Sequence, residues 1–210
     1  MSNELVLRNR QRTRALDLRL LRRIARRLLS EHLAVARFEV GIHLVTAAEM
    51  ARLNEHFLQH AGSTDVITFE HEFAATPLGG IASANRGSAN IRPRHRLKAG
   101  LQTRLATGAA LVPAVRRLHG EIFISVDDAV AQARQFRTRW QAEVVRYLIH
   151  GLLHLHGLDD LHPTARREMK RMENRWLKRV ARQFRLAKLS KSRQPADSGK
   201  SEIANRKSQM

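Results

Sequence analysis

The amino-acid sequence predicts one domain of the α+β class. Along the chain, apolar residues recur either at every second position, as in strands, or at helical spacing. This pattern predicts the order strand, helix, strand, helix, strand, strand, helix, helix, helix. A near-continuous apolar helix ending at His156 supplies a buried centre for this fold. At 210 residues the chain is long enough for one sound core and too short for two.

The first half of the chain alternates predicted strands and helices. Residues 4–8 are predicted to form a short strand, and residues 16–29 an amphipathic helix whose arginines lie mainly off the apolar stripe. Alternating apolar residues predict a strand over 38–45. The capping box from Thr46 to Glu49 then opens a short helix, and residues 63–69 are a further strand candidate.

In the second half, residues 122–126 form a compact β-branched run that predicts a central strand. Ser125 or Asp127 can cap the next helix, whose apolar stripe extends to Phe136. A capping box beginning at Thr138 is expected to start the central helix. The last helix is predicted to run from Pro163, at its first position, to about residue 184. Its expected core stripe consists of Met169, Met172, Trp176 and Val180.

Two segments are predicted to lie outside the folded core. The domain is expected to span residues 1–187, with a basic loop insert at about 74–119. This insert has no acidic residue between Glu72 and Glu121, and leucines at 97, 101 and 105 could form a helix in its later part. Long surface insertions cost little closure entropy, so we expect residues 79–118 to be dispensable for folding. Residues 188–210 contain almost nothing to bury and are predicted to be a disordered basic tail.

Composition indicates a polyanionic partner. Thirty-eight lysines and arginines face 19 acidic residues, which gives a net charge of +19. Nucleic acid explains this excess better than a generally basic proteome or a membrane-surface preference. The absence of cysteine excludes disulfides and thiolate metal sites. With no secretory signal and no apolar run of membrane-spanning length, the expected location is cytoplasmic, with no membrane partner.

One stretch carries the pattern of a metal site. His150 and His154 are one helical turn apart, so their imidazoles project from one face, as in helices that offer two nitrogen ligands to one ion. Gly157 suits the end of the helix, and the returning chain places Asp160 where a third ligand could close. We therefore predict a catalytic metal site at His150, His154 and Asp160. Glu143 could accept from His150 or pair with a neighbouring arginine, and the second role is favoured.

This stretch resembles the signature H-G-x-L-H-L-x-G-x-D-H of the YbeY family, the bacterial rRNA maturation endoribonucleases. Residues 53–54 with 64–69 are similar to the family's L-N and T-D-V-L-S-F segments, and residues 120–125 to its G-D-I-x-I-S segment. Asn54, Thr64 and Asp65 lie in these segments and are candidate substrate-binding residues. The resemblance implies a small mixed sheet with a buried metal-binding helix packed beneath it and flanking helices.

The resemblance also implies a function. It is that of a metal-dependent single-strand endoribonuclease, usually with zinc, that acts in rRNA 3′-end maturation and ribosome quality control. The implied partners are an rRNA precursor and the small ribosomal subunit. The pattern offers no catalytic group beyond water on the metal.

Three positions bear on the assignment. Leu58 stands where the family usually carries arginine, and Asp160 replaces the last motif histidine, with His162 as a competing ligand. Both replacements suit the alternative of a non-catalytic ribosome-assembly factor. A zinc peptidase is disfavoured, because Gly151 occupies the position of that class's glutamate base.

Overall fold

The computed structural model describes residues 3–71 and 117–191. Its four strands are β1 Glu4–Asn9, β2 Arg37–Val45, β3 Val66–Glu70 and β4 Arg117–Ser125. Its five α-helices are α1 Leu18–Arg27, α2 Ala47–Leu53, α3 Val126–Gln135, α4 Trp140–Leu155 and α5 Pro163–Gln183. Single π-helical turns, Leu28–His32 and Asn54–Leu58, follow α1 and α2. A short 3₁₀ helix covers Leu186–Leu189. The predicted α+β class and element order are confirmed.

The strands form one mixed sheet in the order β1-β2-β4-β3. β1 pairs with β2, and β2 with β4, in parallel, whereas β3 runs antiparallel to β4 at the edge. β4 extends further back than predicted, because residues 117–119 continue its pairing with β2. These residues belong to the sheet and not to the insert. The rest of the insert lies outside the described residues, so its dispensability stays a prediction.

The main core lies between the sheet and the helices. Alternate residues of β2 and β4 pack against α1, α3, α4 and α5. Gly151 of α4 permits the close approach of this helix to the sheet, because a Cβ atom there would lie 2.6 Å from Cγ2 of Ile122. The predicted buried central helix is confirmed. Within the described residues, no helix has the length and apolar character needed to cross a membrane.

A second, smaller hydrophobic cluster covers part of the opposite sheet face. The buried members are Val45, Met50, Ile67, Phe69 and Phe123. Leu53, Phe57 and Leu58, from α2 and the turn after it, pack onto this cluster. Side chains alternate across a strand, so these residues lie on the face away from α4.

His43 is a buried histidine on this same face. Its ring stacks on Phe123 with centroids 4.5 Å apart, and Nε2 lies 3.1 Å from Oε1 of Glu121. Burial lowers the pKa of His43, which Glu121 partly offsets and the charges of Arg10 and Arg8 reinforce. The folded protein therefore favours the neutral imidazole.

Several predicted boundaries are wrong where distant parts of the chain meet. Leu16 lies before α1, which Asp17 caps, and it forms a β-bridge with Ser190. Leu189 is fully buried, so the tail cannot begin at 188. These errors share a cause, because the start and end of the domain pair with each other. Residues 192–210 lie outside the described residues.

Some of the predicted helix caps are confirmed and one is wrong. Ser125 caps α3 by accepting from the backbone N–H of Asp128, so the first of the two candidates is confirmed. Thr46 likewise accepts from the N–H of Glu49 at the start of α2. The capping box at Thr138 is wrong, because α4 begins at Trp140 and the Thr138 hydroxyl donates to the Glu143 carboxylate instead.

Candidate metal centre

The end of α4 turns the chain back over the histidine pair. Gly157 adopts φ of +93°, the left-handed conformation that was predicted for it. The N–H of Gly157 bonds to the carbonyl of His154 at 2.8 Å, and that of Leu158 to the carbonyl of Leu153 at 3.0 Å. These two bonds form a Schellman motif. The motif places the Leu158 carbonyl beside the His154 ring.

The two imidazoles point at each other through their Nε2 atoms, which are 2.9 Å apart. On the far side of each ring, Nδ1 has a fixed partner. Nδ1–H of His154 donates to the Leu158 carbonyl at 3.1 Å, and Nδ1–H of His150 donates to the Glu173 carboxylate at 2.7 Å. A carbonyl oxygen can only accept, so the proton of neutral His154 sits on Nδ1. Its Nε2 then carries a lone pair that points at Nε2 of His150.

The protonation of the pair follows from its surroundings. Burial lowers the pKa of His150, but the hydrogen bond and charge of Glu173 outweigh burial and raise it overall. Burial and the neighbouring His150 lower the pKa of His154. When both rings are neutral with protons on Nδ1, two lone pairs face each other across a short gap. A cation between them removes that repulsion.

Asp160 completes the predicted group. Its Oδ1 lies 4.0 Å from Nε2 of His154, and the ligand atoms of the three residues lie within 4.8 Å of one another. The structure therefore brings together the three ligands that the sequence indicated, although metal binding itself remains a prediction. The competing ligand His162 is the exposed N-cap residue of α5 and does not belong to this group.

Glu173 is a site residue that the sequence reasoning missed. It lies on α5, is 4% exposed, and orients His150 from behind. Burial raises its pKa, but the hydrogen bond to His150 outweighs burial and lowers it overall. The sequence contains an indication of this role, because Glu173 lies within the apolar stripe of α5, between Met169 and Trp176. An acid at a core position needs a partner.

Glu143 takes the role that the sequence favoured. Its carboxylate accepts from Thr138 at 2.7 Å and pairs with Nε of Arg146 at 3.2 Å. It therefore fixes the start of α4 and does not hold His150.

The candidate substrate-binding residues precede the edge strand β3: Asn54 lies in the helical turn after α2, and Thr64 and Asp65 lie directly before β3. Asn54 is buried, and its amide donates to the Gly62 carbonyl at 2.9 Å. Asp65 accepts from the Thr64 hydroxyl at 3.2 Å. Asp65 also lines a cavity that His150 borders. Asn54 thus braces a loop, whereas Asp65 lies near the metal group, and substrate binding by any of the three stays a prediction.

The family of the chain follows from comparison with known proteins. The family model described as Endoribonuclease YbeY matches residues 6–181. Endoribonuclease YbeY from Salinibacter ruber is 26% identical over 129 residues, which cover 61% of this chain and 62% of the relative. Its counterpart from Bacteroides thetaiotaomicron is 43% identical over 61 residues, 29% of this chain and 44% of the relative. The chain thus spans less than two thirds of the length of either relative.

A solved structure has a similar fold. The solution structure of TM1509 from Thermotoga maritima superposes with a TM-score of 0.50 and covers 94% of this chain and 99% of its own. At 18% identity this likeness concerns the fold alone. The match of the family model over most of the chain carries the assignment. The chain belongs to the YbeY family.

Proposed function

We propose that this protein is a metal-dependent endoribonuclease that cleaves single-stranded RNA in rRNA 3′-end maturation and ribosome quality control. The observation that carries the proposal is the pair of imidazole Nε2 atoms 2.9 Å apart, each ring held from behind through Nδ1. Membership of the family supports RNA as the substrate class. An rRNA precursor as substrate and the small ribosomal subunit as partner are part of this proposal.

The donor set fits zinc. Imidazole nitrogens and a carboxylate oxygen are accepted zinc ligands, and three protein ligands leave a position open for catalysis. His150, His154 and Asp160 would hold the ion. When bound, a divalent ion would polarise a phosphoryl oxygen and lower the pKa of a water molecule to about 7. The carboxylate at 160 makes the site more negative than a third histidine would, and favours a harder ion somewhat.

The residues behind the ligands fix the state of the site. Glu173 holds a proton on Nδ1 of His150, and the Leu158 carbonyl does the same for His154. When the rings are neutral, these partners favour the tautomer that leaves the lone pair on Nε2, and neither ring can rotate without losing its partner.

Exposed arginines and lysines are the candidate RNA surface. α5 carries eight exposed cations against two glutamates, and one of those glutamates is committed to His150. The arginines of α1 at 19, 22, 23, 26 and 27 are also exposed. Contacts of this kind bind the phosphate backbone with little sequence preference and weaken steeply with salt.

Metal analysis and an RNA cleavage assay test the proposal together. The purified protein should contain zinc and cleave single-stranded rRNA precursor, a chelator should abolish cleavage, and added zinc should restore it. His154→Ala should remove cleavage while affinity for single-stranded RNA stays near that of the parent. His56→Ala, at an exposed histidine away from the group, is the matched control. A zinc-loaded protein that cleaves no RNA would refute the enzymatic proposal.

A non-catalytic assembly factor is the second candidate. Leu58 packs into the cluster on the sheet face away from α4, at the position where the family usually carries arginine. RNA or subunit binding without cleavage would favour this alternative. The peptidase alternative loses support, because a side chain at Gly151 would run into Ile122 of the sheet.

A further inference from the structure

Phe136 is an exposed aromatic residue on a hydrogen-bonded stretch of backbone at the end of α3. The sequence places it at the end of the apolar stripe of α3, yet the residue is 59% exposed. Its N–H bonds to the Gln132 carbonyl at 2.9 Å, and Thr138 bonds back to Ala133 at 2.9 Å. Between them Arg137 takes φ of +53°. The end of α3 therefore presents the Phe136 ring outward on a hydrogen-bonded backbone.

The ring borders a cavity that reaches the metal group. This cavity has a volume of about 360 Å³, within the usual range for small-molecule sites. Phe136 and Tyr147 line it together with His150 and Glu173. Among the described residues, the large hydrophobic side chains that are exposed are Phe136 and Leu161. Leu161 directly follows Asp160 in the chain, and Phe136 shares the cavity with His150.

The charges around the cavity favour a neutral guest. Three carboxylates line it, from Asp65, Glu143 and Glu173, against the cations of Arg146 and Lys170. Arg146 is already engaged, since its Nε lies 3.2 Å from Glu143 and its Nη1 donates to the side-chain oxygen Oδ1 of Asn174 at 2.8 Å. With His150 neutral and no ion bound, a phosphate group would meet net negative charge in this part of the cavity. A flat, uncharged heterocycle would meet an aromatic face and polar edges.

Resting on the proposed function, we propose that Phe136 stacks on the base of the RNA nucleotide adjoining the phosphate at the metal group. A base in single-stranded RNA is free to turn out and stack on an aromatic side chain, whereas a base in a duplex is not. The cavity brings the aromatic face of Phe136 and the candidate ligand His150 into one nucleotide-sized site. Phe136 is thus a substrate-binding residue that favours single strands.

Variants that separate aromaticity from bulk test this role. Phe136→Ala should weaken affinity for a single-stranded RNA oligomer by about 5- to 150-fold, the range that base stacking supports. Phe136→Trp should retain affinity because it keeps a ring, whereas the matched control Phe136→Leu keeps apolar area and should lose it. Zinc affinity and thermal stability should not change in any of them.

The readout is binding of an oligomer that contains 2-aminopurine, whose fluorescence is quenched on stacking. The parent and Phe136→Trp should quench it, and Phe136→Ala and Phe136→Leu should not. Equal affinity and quenching in the parent and Phe136→Ala would overturn the inference, and so would a parent protein that binds no single-stranded RNA.

RNA cleavage measured in parallel distinguishes failure of base stacking by Phe136 from failure of the proposed endoribonuclease function. Loss of stacking in Phe136→Ala with a parent that never cleaves would support the inference and refute the proposed enzymatic function. If the parent cleaves RNA with zinc and the Phe136→Ala variant has unchanged KM and quenching, the enzymatic function is supported and stacking by Phe136 is refuted.

Discussion

Replacement of Glu173 by glutamine should disable the metal group without touching a ligand. The carboxylate is 2.7 Å from Nδ1 of His150, with its other oxygen 3.5 Å from the Lys170 ammonium and 3.8 Å from the Arg146 guanidinium. Glutamine keeps the shape and removes the charge. Its amide can also donate to Nδ1, in which case the His150 proton moves to Nε2 and blocks the ligand position.

The size of the effect can be bounded. Loss of a partner behind a ligating histidine typically costs about 10- to 100-fold in metal affinity. A hydrogen bond to a charged group contributes about 1.5–3 kcal/mol, so the free energy of unfolding of the metal-free protein should fall by a similar amount. The measurement belongs well above a pH of about 6.5, the ordinary histidine pKa, so that protons do not compete for His150.

A competition titration with a chelating dye measures the zinc affinity, and urea denaturation measures the stability. Glu168→Gln is the matched control, because Glu168 is exposed on the same helix and should bind zinc like the parent. If Glu173→Gln is folded and binds zinc as tightly as the parent, Glu173 does not orient His150 for a metal.

Three further predictions concern other parts of the molecule. Gly151→Ala should lower the free energy of unfolding by about 1–3 kcal/mol in urea, because its Cβ would overlap Ile122; an unchanged value would contradict the close packing of α4. The lowered pKa of His43 means that the unfolded chain binds more protons than the folded one below about 6.5. Stability should therefore fall as the pH drops from that value through the lowered pKa, and His43→Gln should flatten this fall in denaturation curves; parallel curves would count against it. Elemental analysis should find that Asp160→Ala loses zinc while His162→Ala retains it, and the opposite result would reassign the third ligand.

Local patterns were sufficient for much of the fold. The spacing of His150 and His154, and the conformation of Gly157, depend on residues within a few positions of each other. The same holds for the Ser125 cap and for Pro163 at the first position of α5. These features follow from helix geometry and backbone sterics, which the sequence displays directly.

Other features depend on contacts between residues that are far apart in the chain. Glu173 reaches His150 across 23 positions, and Leu189 is buried near the start of α1. Phe136 continues the helical periodicity of α3, yet its ring is exposed. Periodicity gives the face of a helix but not what packs against that face. The element order and the spacing of the candidate metal ligands were therefore predictable from local sequence patterns. Packing between distant segments determined which residues support the site and which side chains stay exposed.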